Sequence, residues 1–277
     1  FRKGSTQSYS INVQGGDDVA NYNLSVGYSY ANSTLKDNDF SRFNMRLNTD
    51  IELIRNLTCR FDASYSDVNR DLRDDGVSDN IMNTTVTSPG LLGLIKSPFL
   101  NPYAFDVKGN QSSYLENADD YLSEVFGSDN SLANPSSILT YGEGQNRNTF
   151  GNRIINIAIT PKYNFNKHLT LYEHFSFSLT NTNENYYLPI SGVPAFKVNG
   201  LSSTTYVYNV AESLAGRESS ISSDTRLEWG NRYGAHKINL FGGVRYISDN
   251  YKLNIQKGYN TGNDKTPNMS SSLAYKS

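Results

Sequence analysis

The chain has 277 residues, a formal net charge of −2, 37% hydrophobic residues and a mean hydropathy of −0.56. The near-neutral balance excludes the basic field that nucleic acid recruits, and a lone cysteine, Cys59, excludes a disulfide framework or a cysteine metal site. With 20 Tyr and 13 Phe but little Met, and with abundant Asn and Ser, the chain builds no thick apolar core. It suits a polar β-protein, or a barrel with one apolar and one polar face.

Period-two alternation begins at Tyr9, Ile11 and Val13 and, after the turn signal Gly15-Gly16-Asp17-Asp18, resumes at Tyr22, Leu24, Val26, Tyr28 and Tyr30. A connection over about 31–39 leads to Phe43, Met45, Leu47, Thr49, Ile51 and Leu53. These alternate with Arg42, Asn44, Arg46, Asn48, Asp50 and Glu52, a pattern no amphipathic helix produces. Beyond Ile54-Arg55-Asn56, the residues Leu57, Cys59, Phe61, Ala63 and Tyr65 alternate with Thr58, Arg60, Asp62, Ser64 and Ser66. Cys59 thus reads as a small buried hydrophobe.

The long region 71–148 carries Pro89, Pro98, Pro102 and Pro135, short apolar pieces and many aromatics. It reads as an ordered extracellular loop with a short helix around Tyr114–Phe126. Alternation returns at Ile155, Ile157 and Ile159 and, past Asn166-Lys167-His168, at Leu169, Leu171, Phe175, Phe177 and Leu179. A connection over about 181–219 follows. Ile221, Thr225, Leu227 and Trp229 then precede a connection from Gly230 to Lys237, and Ile238, Leu240, Val244 and Tyr246 close the series.

The result is an all-β reading: about eight antiparallel strands in four hairpins, with short and long connections strictly alternating. Transmembrane β-barrels place tight turns on the periplasmic side and long loops outside. No apolar run reaches the ~20 residues of a spanning helix. Phe1-Arg2-Lys3-Gly4 is no signal peptide, so the expectation is a fragment or processed product.

Pairing supports this reading. A three-residue loop at Ile54-Arg55-Asn56 sets Leu53 opposite Leu57, Ile51 opposite Cys59 and Thr49 opposite Phe61. It also brings Asp50 across from Arg60 and Asn48 across from Asp62, so opposite charges meet. The same construction at Asn166-Lys167-His168 sets Tyr163 opposite Leu171 and Ile159 opposite Phe175. It leaves Pro161 opposite Glu173 on the apolar face, a misfit that a bulge or an interfacial position relieves.

Chemistry is sparse. His168, His174 and His236 share no metal-binding spacing. Asp67, Asn69 and Asp71 open like a calcium loop, but Leu72 and Ser78 stand where glycine and glutamate are needed. Gly142-Glu143-Gly144 lacks the last glycine of a dinucleotide fingerprint. Asp74-Asp75 and Asp119-Asp120 read as solvated loop acids. The chain reads as no enzyme, with no cofactor and no metal. Tyr28, Tyr30 and Tyr65 next to long loops, and Tyr163 and Phe165 beside a short turn, read as two aromatic girdles. Arg42, Asn44, Arg46, Asn48, Asp50, Arg60 and Asp62 read as lumen-lining. Tyr103, Tyr114, Tyr121 and Tyr141 are candidate substrate contacts in the long loop, with packing as the alternative role.

Tyr9-Ser10-Ile11-Asn12-Val13-Gln14-Gly15-Gly16, Asn21-Tyr22-Asn23-Leu24-Ser25-Val26-Gly27-Tyr28 and the Arg42-x-Asn44-x-Arg46-x-Asn48 run resemble the first barrel hairpins of SusC/RagA-type TonB-dependent transporters. Asn134-Pro135, Arg147-Asn148 and Pro161-Lys162-Tyr163-Asn164-Phe165 follow in the family's order. The resemblance covers essentially all of 1–277. It implies part of a barrel of about 22 strands closed by a plug, and a SusD-like surface lipoprotein partner. It further implies energy from the TonB complex through an N-terminal plug region, and uptake of oligosaccharides or peptides across a Gram-negative outer membrane. The plug, the TonB-contact segment and a terminal aromatic strand after Tyr275-Lys276-Ser277 are not in this sequence, so the expectation is the N-terminal part of the barrel. Two other readings stay open from the residues alone: a complete eight-stranded barrel with a structural or adhesive role, and a soluble β-sandwich glycan-binding module.

Overall fold

The computed structural model describes residues 2–72, 88–95, 103–114, 134–140, 148–188, 190, 195, 197, 201, 206–260 and 273–275. In chain order these form β1 (Ser5–Gly16), β2 (Ala20–Asn32), β3 (Asp39–Ile54), β4 (Leu57–Leu72), α1 (Pro89–Ile95), β5 (Tyr103–Phe105) and β6 (Gln111–Tyr114). Then come α2 (Pro135–Thr140), β7 (Asn148–Asn164), β8 (Leu169–Leu188), β9 (Val210–Tyr233), β10 (His236–Tyr259) and β11 (Leu273–Tyr275). One nine-stranded antiparallel sheet runs β1-β2-β3-β4-β7-β8-β9-β10-β11, and β5-β6 form a separate hairpin. Among the described residues β1 pairs only with β2, so the sheet is open, as a partial barrel wall is, and not a closed eight-stranded barrel. Among the described residues no second sheet packs on its apolar face, as a sandwich requires.

The short connections gather at one end of the sheet, the turn end, and each is built by its own residues. At β1–β2, Asp17 Oδ1 accepts hydrogen bonds from the N–H of Val19 (2.8 Å) and Ala20 (2.9 Å), an Asx turn. Gly16, at φ 153°, has no room for a Cβ, which would meet Ala20 O at 2.4 Å. At β7–β8, Asn166 Oδ1 accepts from the N–H of His168 (2.8 Å) and Leu169 (3.0 Å). At β9–β10 the turn is Gly234-Ala235, with Gly234 at φ 58°. The strands thus run to Tyr233 and His236, shortening the connection expected from Gly230 to Lys237.

The register of β3–β4 agrees with the charge and apolar pairing in the sequence at Thr49, Asp50, Ile51 and Asn48. It departs at the turn. Ile54, not Leu53, lies opposite Leu57, and the register shifts between Glu52 and Ile54. Leu53 is the extra residue of a bulge, so the turn is the tighter Arg55-Asn56.

Larger departures concern strand length. β8 continues to Leu188 and β9 begins at Val210, so strand takes up both ends of the connection expected over 181–219 and leaves 189–209 between them. Asn181, Asn183 and Asn185 alternate with Thr182, Glu184 and Tyr186 there, and no apolar period marks the strand. The backbone ladder continues because it needs hydrogen bonds, not hydrophobicity.

The described parts of the long loop carry readable local signals. Each helix begins with proline after a capping residue. Ser88 Oγ accepts from Leu91 N–H (3.4 Å), and Asn134 Oδ1 accepts from Ser136 N–H (3.0 Å). The helix expected around Tyr114–Phe126 is not found at its start, since Tyr114 ends β6. The rest of it lies outside the described residues, as do Asp74-Asp75, Asp119-Asp120 and Gly142-Glu143-Gly144.

Among the described residues, full burial is confined to the loop end and the long-loop helices: Leu92, Tyr187, Leu188, Val207, Val210, Ala211 and Tyr259. The alternating apolar residues nearer the turns are not buried: Ile11 is 67% exposed, Ile221 54% and Phe175 52%. No described helix is long and apolar enough to cross a membrane.

Candidate functional site

Because the ladder stays in register across eight strands, side chains of like character line up in rows. One row on the apolar face reads Val13, Leu24, Leu47, Ala63, Ile157, Phe177, Ile221. The next row toward the loop end reads Ile11, Val26, Met45, Tyr65, Ile155, Leu179. Along β4 the band runs from Leu57 to Tyr65, matching the about 9–11 residues with which a tilted strand crosses hydrocarbon. Cys59 sits in this band half-exposed, not buried.

The band has two aromatic margins. Tyr163 and Phe165 meet edge-on at 4.9 Å beside the β7–β8 turn, and Trp229 stands opposite Leu169 and Leu240. At the other margin Phe43 and Tyr65 lie 6.1 Å apart, with Tyr28 directly opposite Phe43. The row through Phe43 then changes character: Tyr9, Tyr28, Phe43, Asp67, Arg153, Asn181, Arg217, Lys252. Asp67, Asn69 and Asp71, which open like a calcium loop, are strand residues, and Asp67 pairs with Arg153 at 3.6 Å.

Glu173 is the one carboxylate inside the band. No bulge relieves it, because Ile159–Phe175 and Lys162–Tyr172 keep the same register on either side. Instead, the hydroxyls of Ser223 (2.7 Å) and Thr225 on β9 donate to its two oxygens. This solution lies on the next hairpin, where the β7–β8 sequence gives no sign of it.

On the polar face, all seven residues read as lumen-lining fall together. Arg42, Asn44, Arg46, Asn48 and Asp50 of β3 share that face with Arg60 and Asp62 of β4. Arg60 Nε reaches Asp62 on its own strand at 2.9 Å, and Asn48 Nδ2 donates to Asp62 from across the ladder. Asp62, not the expected Asp50, is therefore the principal partner of Arg60. The face continues over β7–β10. Ser178 donates to Asn156 (2.7 Å), which donates to Ser64 (3.3 Å). Thr160 and His174 Nδ1 are 2.8 Å apart, and Arg245 Nε donates to Asp224 at 2.7 Å. The sequence did not flag Tyr172 here, whose ring lies between Lys162 (5.3 Å) and Arg226 (5.0 Å).

Of the histidines, His168 lies in its turn with Nδ1 2.9 Å from Gly230 O, and His236 opens β10. Among the described residues no three metal-ligating side chains converge. Tyr103 and Tyr114 are brought opposite each other on β5–β6, while Tyr121 and Tyr141 lie outside the described residues. Two exposed turn carboxylates are held below the usual range: Asp17 by the backbone N–H groups of Ala20 and Val19, and Asp106 by the backbone and then the side chain of Asn110.

Against solved structures, this arrangement is similar to the RagAB peptide importer in its closed-closed state. The TM-score is 0.66 and the identity 18%, over 99% of this chain and 28% of that one. The chain has the fold of a SusC/RagA-type barrel wall. The open-open state of RagAB matches with TM-score 0.66 and 19% identity over 98% of this chain and 27% of that one. The ferripyoverdine receptor of the outer membrane of Pseudomonas aeruginosa matches with TM-score 0.54 and 12% identity over 98% and 30%. No protein-family model matches the chain, and no curated protein matches it. This barrel wall thus spans about 28% of the length of the RagAB chain it resembles.

Proposed function

We propose that this chain is part of the wall of a TonB-dependent importer in a Gram-negative outer membrane, with the long connections outside the cell and the tight turns in the periplasm. The observation that carries the reading is the two-faced sheet. Its apolar band has the height of a bilayer and is exposed, while its other face is a largely polar lattice from β3 to β9 that gives way on β10 to Phe241, Ile247, Leu253 and Ile255. In this reading Arg42, Asn44, Arg46, Asn48, Asp50, Arg60 and Asp62 face the lumen and a plug contributed by the full-length protein. The hydrogen bonds that Asn48 and Arg60 make to Asp62 help keep the wall fixed while a plug moves past it.

The cargo is a nutrient too large for porins, an oligosaccharide or a peptide, gathered with a SusD-like surface lipoprotein and drawn inward by the TonB complex. Tyr103 and Tyr114 are candidate contacts in the long connection. No covalent chemistry is required of any residue.

The test uses the full-length gene product. It is expected in the outer-membrane fraction, with heat-modifiable migration. Deleting its gene is expected to abolish growth on one large nutrient, and wild-type protein is expected to restore growth only in cells with TonB. A product that is soluble without detergent, or growth restored equally without TonB, sinks the reading.

A further inference from the structure

Away from the turn, where Lys237 faces Arg232, the cations on the polar face of β10 lie opposite acids. Arg245 lies opposite Asp224, and Lys257 lies opposite Glu212 with Nζ 3.0 Å from its carboxylate. Lys252, on the other face of the same strand, lies directly opposite Arg217. Like charges directly across a ladder destabilise it. Among the described residues neither Arg217 nor Lys252 has a carboxylate partner. Arg153 stands in the same row, two strands from Arg217, and its one partner is Asp67 on the far side. Asn181 sits between the two arginines. These side chains border a depression of about 390 Å³ that is also lined by Asn183 and Asn254. It offers cations and amide N–H groups but no acid.

The height of this cluster identifies its ligand. It occupies the first row beyond the apolar band, the row that on β1–β3 carries Tyr9, Tyr28 and Phe43. A lipid whose acyl chains lie along Ile155, Leu179 and Ile221 brings its headgroup to Arg153, Arg217 and Lys252. Guanidinium and ammonium groups at that depth recognise phosphate.

We propose that Arg217 and Lys252, assisted by Arg153, bind the phosphate of a phosphorylated lipid in the leaflet at the loop end of the barrel. The phosphate resolves the repulsion that the ladder creates between the two facing cations. This site rests on the barrel reading above and goes beyond it, because it assigns a ligand to the outside of the wall.

The test is native mass spectrometry of the full-length protein in detergent micelles doped with bis-phosphorylated lipid A, with dephosphorylated lipid A, or with inorganic phosphate alone. Wild type is expected to retain phosphorylated lipid A and neither of the others. The Arg217→Gln/Lys252→Gln variant is expected to bind it about 30-fold more weakly, since each basic group near an anionic lipid surface contributes about a factor of five. Lys167→Gln/Lys237→Gln, which removes the same charge at the turn end, is expected to bind as wild type does. Equal binding by wild type and the Arg217/Lys252 variant overturns the site, and so does an equal loss in the Lys167/Lys237 variant. Full displacement by inorganic phosphate overturns the lipid as its source. Heat-modifiable migration is scored on every sample. A folded barrel without phosphate selectivity fails this site alone, whereas a product without barrel behaviour fails the underlying reading as well.

Discussion

The turn-side and loop-side halves of β8, β9 and β10 share one uninterrupted ladder but use different side chains. On the turn side one face reads Leu171, Phe175, Phe177 and Leu179 on β8, with Leu227 and Ile221 on β9. On the loop side the same face reads Asn181, Asn183 and Asn185, opposite Arg217, Ala215 and Ser213. Meanwhile Leu188, Val210 and Tyr259 become buried at the far end. The backbone requirement is constant along the strand, because every N–H and C=O needs a partner. In the proposed reading only the medium on each side changes: a strand leaving the bilayer keeps its hydrogen bonds and exchanges its apolar face for a polar one.

The sharpest way to break this comparison is a charge in each half. Ile159→Arg, opposite Phe61 in the middle row of the band, is expected to cost about 2–4 kcal/mol. Asn183→Arg, on the same face beyond the band, is expected to stay within about 0.5 kcal/mol. Urea titration of the full-length protein in lipid vesicles measures both, and equal costs would refute a bilayer boundary between the two rows.

Glu173 provides the next test, since it is a band residue with a loop-type side chain. The Ser223→Ala/Thr225→Ala double variant leaves its carboxylate without donors and is expected to cost about 1–3 kcal/mol in the same titration. Removing the carboxylate as well, by adding Glu173→Leu, is expected to recover most of that loss. A double variant as stable as wild type would mean that the hydroxyls do nothing for Glu173.

Two glycines sharpen the comparison through packing. A Cβ on Gly243, in the turn-side half, meets Thr225 O at 2.4 Å, whereas one on Gly216, in the loop-side half, meets nothing closer than 3.6 Å. Gly243→Ala is therefore expected to cost about 1–3 kcal/mol. Gly216→Ala is expected to change stability by less than about 0.5 kcal/mol. The difference in denaturation midpoint between the two variants checks this.

The smallest effect concerns Asp17. Its folded-state acidity is strengthened by the N–H groups of Ala20 and Val19, so the turn's stabilisation is present at neutral pH. It is lost as pH falls from the ordinary carboxylate range through the lower folded value. Amide exchange at Val19 and Ala20 is expected to accelerate over that acid window and to be flat above it. Protection that is independent of pH there would exclude the carboxylate as the organiser of the turn.

The same contrast explains what was legible in the sequence. Period-two apolarity marked the band halves of all eight long strands, and the pairings Ile51–Cys59, Tyr163–Leu171 and Ile159–Phe175 followed from counting across the turns. The polar lattice was legible at Arg42–Asp62 because acids and bases alternate with apolar residues there. Strand extensions past Asn181 were not, because polar residues on both faces leave no period to read. The Leu53 bulge escaped because one added residue changes no composition. The facing cations Arg217 and Lys252 escaped for a further reason. They lie far apart in the chain, and only the long β9–β10 hairpin brings them opposite each other.

The join between β4 and β7 has a consequence for how such a wall changes over time. Leu72 and Asn148 pair directly, so everything between them is an excursion from a fixed seam. Closing an excursion ten times longer costs only about 2 kcal/mol more, because the entropy of closure grows with the logarithm of length. The seam itself is held by the paired residues from Leu57 to Leu72 and does not depend on what is spliced above it. Sequence at that position is therefore cheap to lengthen, exchange or reinvent, and a lineage can rewrite it while inheriting the wall unchanged.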